Sequence, residues 1–189
     1  MTVEIILLSH DELLRRREEL VSVYAAAFSP PPYRIRPGQL ENFAYALAGH
    51  GQRQGFRCLA ALDPEGGRVI GFTYGYHGSP GQWWRDAVYS ALPEREWWWL
   101  EDYFELAELA VVPWRQGQGI GSRLHDGLLD GGPERTAALS TLQVETAALR
   151  LYRRRGWQVL LQGMVFPGGI DRYQIMGLRL RPNAEDRSA

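Results

Sequence analysis

Residues 113–127, Pro-Trp-Arg-Gln-Gly-Gln-Gly-Ile-Gly-Ser-Arg-Leu-His-Asp-Gly, hold four glycines and no lysine. Three of the glycines alternate at Gly117, Gly119 and Gly121, between a strand-like run and a helix-like run. Each glycine weakens a helix it enters, so placing three at a helix mouth calls for a role in the backbone itself. A helix N-terminus carries unmade N–H groups and the positive end of the helix dipole, and glycine lets that backbone close on an anion. The chemistry this implies is a phosphate or pyrophosphate cradle made from the main chain of residues 117–122. Two nucleotide motifs do not close over it. A P-loop needs lysine between its last glycine and Ser or Thr, whereas Gly121 is followed directly by Ser122. The dinucleotide fingerprint needs a glycine where Ser122 stands, and an acidic residue at a strand end about 20 residues on, which is not evident.

The elements around the glycines read as follows. Strands are predicted at 3–9, 56–63, 68–78, 103–112 and 136–144, and a closing hairpin over the runs beginning at Trp157 and Tyr173. Helices are predicted at 11–28 (capped by Ser9 or Asp11), 39–51, from the glycines to Leu129, and 146–155 before Gly156. A 24-residue stretch, 79–102, interrupts this pattern and holds five of the seven tryptophans, Trp83, Trp84 and Trp97–Trp99. The order is mixed α/β, with neither internal repeat nor linker, so one domain is expected over 1–181, followed by a frayed tail, 182–189.

Composition narrows the function. The chain has 189 residues, 45% apolar and 23% charged, with net charge −1. These are the proportions of an ordinary globular domain and argue against a nucleic-acid partner. The cationic cluster Arg150 with Arg153–Arg155 lies near a helix end, where cations are expected. A single cysteine, Cys58, excludes an intrachain disulfide and reads as a buried structural thiol. The four histidines are scattered without ligand spacing, so no metal site is expected. The N-terminal run has no basic region and only a short apolar stretch, so neither a signal peptide nor a membrane span is read there, and the cytoplasm is the default location.

One pattern fits the glycine segment at every position: Gln116, two spacers, Gly119, one spacer, Gly121. It resembles the Gln/Arg-x-x-Gly-x-Gly/Ala motif of the GNAT superfamily of acyl-CoA-dependent N-acetyltransferases. A second segment, Glu-Thr-Ala-Ala-Leu-Arg-Leu-Tyr-Arg-Arg-Arg-Gly-Trp (145–157), is similar to that family's Asn-x-x-Ala-x-x-Leu-Tyr-x-x-x-Gly-Phe. Ala148, Leu151, Tyr152 and Gly156 match, while Glu145 and Trp157 stand where the family often has Asn and Phe. The resemblance implies a single-domain α/β (α+β) fold, with a central mixed, mostly antiparallel sheet flanked by helices. In it the fourth and fifth strands, 103–112 and 136–144, splay apart.

It also implies a reaction, acetyl transfer from acetyl-CoA to a primary amine by direct attack. Gln116, Gly117, Gln118, Gly119, Ile120, Gly121 and Ser122 would hold the cofactor's pyrophosphate. Backbone groups of Leu109, Val111 and Val112, with Glu145, would meet its pantetheine arm, and the N–H near Leu109 would face the developing oxyanion. Tyr152 would protonate the leaving thiolate, its ordinary pKa of about 10 being close enough to a thiol's. The base is Glu105, which falls where the histone-acetylating branch keeps a glutamate, or Glu108. Their odd separation puts them on opposite faces of a regular strand, and only a bulge would reverse that. His77 is a weaker choice of base, and so is His125, expected at the surface or the edge of the core.

The acceptor is a small molecule or peptide amine. Tyr33, Tyr45, Trp83 and Trp84 would line an aromatic cleft for it, alongside Trp97–Trp99. The same tryptophans would equally serve to pack the 79–102 stretch onto the domain or to form a homodimer contact. The competing function is a non-catalytic acyl-CoA-binding module that senses the cofactor or holds a partner.

Overall fold

The computed structural model describes residues 2–181. The tail expected at 182–189 lies outside them. Seven strands form one mixed sheet: β1 (Glu4–Leu7), β2 (Arg57–Leu62), β3 (Val69–His77), β4 (Tyr103–Val111), β5 (Thr136–Leu142), β6 (Gln158–Met164) and β7 (Tyr173–Arg179). Their order is β1-β2-β3-β4-β5-β7-β6. The helices are α1 (His10–Arg15), α2 (Arg17–Phe28), α3 (Gln39–His50), α4 (Trp83–Ala91), α5 (Ile120–Leu129) and α6 (Ala147–Arg154). The helix expected over 11–28 is thus two. Ser9 starts the first with a capping box, its side chain accepting from the Glu12 N–H while the Glu12 carboxylate takes the Ser9 N–H at 2.8 Å. The chain leaves helical geometry at Arg16 (φ −95°, ψ 8°) and restarts at Arg17.

The described residues divide into two compact units, 2–76 with 107–130, and 77–106 with 131–181. In the first, β1, β2 and β3 pair antiparallel. Helix α5 turns Ile120, Leu124 and Leu128 inward, at helical spacing. It lies so close to β2 that a Cβ on Gly127 would come within 3.1 Å of the Leu59 side chain. Cys58 is fully buried here, and burial pushes its thiol up to about 12, as suits a structural residue.

In the second unit, β7 lies between β5 and β6 and pairs antiparallel with both. The parallel ladder of β4 with β5 covers three pairs, Tyr103↔Thr136, Phe104↔Ala137 and Glu105↔Ala138. Both strands run on, β5 pairing with β7 as far as Leu142↔Tyr173. This brief parallel contact is the splayed pair that the resemblance implied. The tryptophan-rich stretch folds as α4 and a 3₁₀ turn over Glu94–Leu100. It covers a core of Val88, Leu92, Leu100, Tyr103, Ala138, Met164 and Ile175.

Candidate active site

The strand that precedes the glycines is interrupted. The Gly78 N–H donates to the Tyr103 carbonyl, and the Val112 N–H to the Ile70 carbonyl. From Ile70 to Gly78 β3 advances eight residues, while β4 takes nine from Tyr103 to Val112. An antiparallel ladder keeps a fixed register, so one β4 residue is extra and forms a β-bulge. Burial does not alternate along β4: Tyr103–Leu106 are all buried and Ala107, Glu108 and Leu109 are half-buried. There the Thr73 hydroxyl, fully buried on β3, donates to the Glu108 carbonyl at 2.8 Å. Glu105 and Glu108 stand on opposite faces of a regular strand, and the extra residue breaks that regularity within β4. Glu105 is 4% exposed, whereas Glu108 is half-buried. Thr73 had no signal in the sequence, being one hydroxyl within an apolar run.

Beyond the bulge the three backbone positions expected to meet pantetheine separate. Val112 is turned back into the fold, its N–H on Ile70 and its carbonyl accepting from the Arg115 N–H at 3.0 Å. Val111, one residue before it, faces the opposite strand edge by alternation, and Leu109 is half-buried within β4. The Val111 carbonyl there accepts from the Gln116 side chain at 2.9 Å.

The chain then makes a one-turn 3₁₀ helix, Pro113–Arg115, and enters α5. Gly117 (φ 75°) and Gly119 (φ 79°, the N-cap of α5) are left-handed, a conformation that penalises any side chain. Space is not what excludes one, since a Cβ at either would meet nothing within 4 Å. Gly121 is ordinary helix, where a Cβ would meet only the Val111 side chain, at 3.9 Å. No side chain caps α5, and its first backbone bond runs from the Arg123 N–H to the Gly119 carbonyl, 3.1 Å. The amides of Ile120, Gly121 and Ser122 therefore start the helix as open donors beside uncrowded glycines, an arrangement that suits an anion. The side chains of Gln116 and Gln118 hold the turn from within: Gln118 donates to the Trp114 carbonyl at 3.4 Å. His125 is not at the surface but 2% exposed on the inner face of α5, its Nδ1 2.8 Å from the Asp126 carboxylate.

In the second unit Thr146 caps α6 through its hydroxyl, 3.0 Å from the Leu149 N–H. Tyr152 is 5% exposed, its ring 5.6 Å from that of Trp157. Glu145 is exposed and bridges Arg150 (3.3 Å) and Arg153 (2.8 Å). His77 lies 3.7 Å from the buried Glu134. The four aromatic acceptor residues differ in role. Tyr45 is 83% exposed, and Tyr33 packs edge-on to Phe28. Trp83 is 59% exposed with Phe166 beside it. Trp84 is half-buried, its indole N–H on the Ser140 hydroxyl at 3.1 Å. Trp97 and Trp99 are committed to packing, donating to the Leu92 carbonyl and the Glu96 carboxylate. Among the described residues no cluster of three His, Cys, Asp or Glu could hold a metal, and no helix is long and apolar enough to cross a membrane.

The chain is similar to known proteins in sequence and in fold. A GCN5-like protein acetyltransferase of Mycobacterium tuberculosis is 37% identical over 121 residues, spanning 59% of this chain and 59% of the relative's own length. The ribosomal-protein-S18-alanine N-acetyltransferase of Escherichia coli shares the fold, with a TM-score of 0.64 at 17% identity over 98% of both chains. So does a chain of the NatC complex bound to Gag peptide and CoA, with a TM-score of 0.62 at 18% identity over 96% of this chain and 100% of that one. The sequence model of the Acetyltransferase (GNAT) family matches residues 17–157, well over half of the protein. The chain belongs to the GNAT acetyltransferase family.

Proposed function

We propose that this chain is an N-acetyltransferase that moves the acetyl group of acetyl-CoA to a primary amine of a small molecule or peptide. The observation that carries this reading is the start of α5. Two left-handed glycines, Gly117 and Gly119, and the open amides that follow form an uncrowded anion cradle within the family's motif. Acetyl-CoA, when bound, supplies an activated thioester. Its pyrophosphate is assigned to the backbone of Gly117–Ser122, with Gln116 and Gln118 fixing the turn rather than touching the ligand. Leu109 and Val111, at the edge of β4 away from β3, are the backbone groups for the pantetheine arm, and the Leu109 N–H is the donor to the thioester oxygen. Val112 drops out of that set because both its backbone groups are used in the fold.

The bulge keeps both glutamates in play as the base. Glu105 takes the amine proton directly or through water, and Glu108 is the alternative. Tyr152 gives its phenolic proton to the leaving thiolate. The test is CoA release, followed with a thiol reagent, for Tyr152→Phe and the wild type against an amine panel. A fall in turnover of 10²-fold or more, about the lower end for losing a general acid, with acetyl-CoA binding retained, supports the assignment. Tight acetyl-CoA binding without turnover on any amine, unchanged in Tyr152→Phe, would instead establish a non-catalytic acyl-CoA sensor.

A further inference from the structure

Strand β3 is buried from Val69 to Tyr76, and Thr73 puts an aliphatic hydroxyl into the middle of that run. A hydroxyl taken out of water needs a hydrogen-bond partner. Thr73 finds one in the backbone of the next strand, donating to the Glu108 carbonyl at 2.8 Å. The ladder between β3 and β4 leaves its mark at this point. Carried along from the bond of Gly78 to Tyr103, the register sets Glu108 opposite Thr73; carried back from the bond of Val112 to Ile70, it sets Leu109 there. Thr73, Glu108 and Leu109 all belong to the first compact unit.

What this bond fixes is a whole peptide unit. The Glu108–Leu109 peptide is trans. A trans peptide is planar, with its C=O and N–H pointing in opposite directions. A Glu108 carbonyl held towards β3 therefore turns the Leu109 N–H to the other edge of β4. The peptide of Val111 and Val112 obeys the same rule: the Val112 N–H donates to Ile70 on β3, and the Val111 carbonyl, on the other side, is reached by Gln116. We propose that Thr73 is a positioning residue, whose hydroxyl fixes the Glu108–Leu109 peptide so that the Leu109 N–H faces the thioester oxygen. The inference rests on the acetyl-CoA reading above and adds to it a buried side chain that acts only through the backbone. An oxyanion donor is effective when it is held in place before the reaction. At a bulge the ladder no longer holds the backbone, and the Thr73 hydroxyl takes over that holding.

The test follows the Leu109 amide by proton–nitrogen NMR on the full chain, with acetyl-CoA and with CoA, which lacks the thioester oxygen. In the wild type the Leu109 proton should move downfield with acetyl-CoA relative to CoA. Thr73→Ser, which keeps the hydroxyl, should retain that difference, and Thr73→Val, which keeps the shape, should lose most of it. Thr73→Ala takes the place of the valine variant if circular dichroism shows that the added methyl prevents folding. On the most active amine of the panel, kcat should fall about tenfold without the hydroxyl and recover in Thr73→Ser, with acetyl-CoA affinity unchanged. That is less than the roughly 10²–10³-fold loss on deleting an oxyanion donor, because the amide is misaimed rather than removed. A Leu109 shift that persists without the hydroxyl, or is lost equally in Thr73→Ser, overturns the assignment. So does an equal Leu109 shift with the two ligands in the wild type. No amide shift anywhere in the chain with either ligand overturns the acetyl-CoA reading itself.

Discussion

Two segments of this chain stand out by composition, the glycine turn at 117–121 and the tryptophan-rich stretch at 79–102, and they behave differently in the fold. The glycines do what glycine does locally: Gly117 and Gly119 adopt positive φ and open the mouth of α5. The tryptophans share one residue type and take several fates. Trp99 is 2% exposed, with a Cβ on Gly177 due to fall 2.7 Å from its ring, while Trp83 is 59% exposed beside Phe166. Backbone requirements are written in residue type and spacing, whereas the use of a large side chain is decided by what the rest of the fold brings against it.

The contrast can be broken by substitution. Trp99→Ala should have the largest effect, about 3–5 kcal/mol for a buried aromatic, read as a fall of roughly 10 °C in the melting temperature. A melting point within a degree or two of wild type would mean that the stretch is not integral to the core. Gly119→Ala should cost about 1–2 kcal/mol through its left-handed φ alone, since its Cβ meets nothing. Gly121→Ala, in ordinary helix, should be neutral or stabilising by less than about 1 kcal/mol, and chemical denaturation of the pair separates the two glycine roles.

A packing-determined effect of another kind is expected at His50. Burial, with Arg53 adding to it, lowers this imidazole from an ordinary 6.5 to about 4, and its Nδ1 lies 3.2 Å from the Tyr74 hydroxyl. A depressed folded-state value means the contribution is full above about pH 6.5 and lost as pH falls towards 4. The urea midpoint of wild type should drop across that window more than that of His50→Gln, and parallel profiles would refute the assignment. Smallest of all, Trp83→Ala should change stability by about 1 kcal/mol or less. On the acceptor reading it should raise KM for aromatic amines, and an unchanged KM would leave Trp83 outside the acceptor site.

Much of the fold was legible because its signals are local. The strand and helix alternation, the Ser9 cap and the helix stop at Gly156 follow from periodicity and end residues. The break at Arg16 was not, because residues 11–28 keep their amphipathic pattern across it and only the backbone changes. The two glutamates show the limit most sharply. Strand alternation puts Glu105 and Glu108 on opposite faces, and the register with β3 introduces an extra residue into that strand. Nothing in the residues 103–112 announces that bulge, since it depends on pairing with a strand 30 residues earlier. His125, expected at the surface or the edge of the core, is buried on the inner face of α5. The ion pairs of Glu145 are likewise not legible, because Arg150 and Arg153 read as ordinary cations at a helix end.

The central claim is that the α5 glycine turn holds the pyrophosphate of acetyl-CoA. Its most direct test is thermal unfolding with and without acetyl-CoA, with adenosine diphosphate as a control, on the wild type and on Gly119→Glu. At one hundred times the dissociation constant the cofactor should add about 2.7 kcal/mol to the wild type, giving a clear upward shift. Gly119→Glu, which puts a carboxylate into the cradle, should melt at the same temperature with and without the cofactor. No shift of the wild type at millimolar acetyl-CoA, or an equal shift in the variant, would contradict the claim.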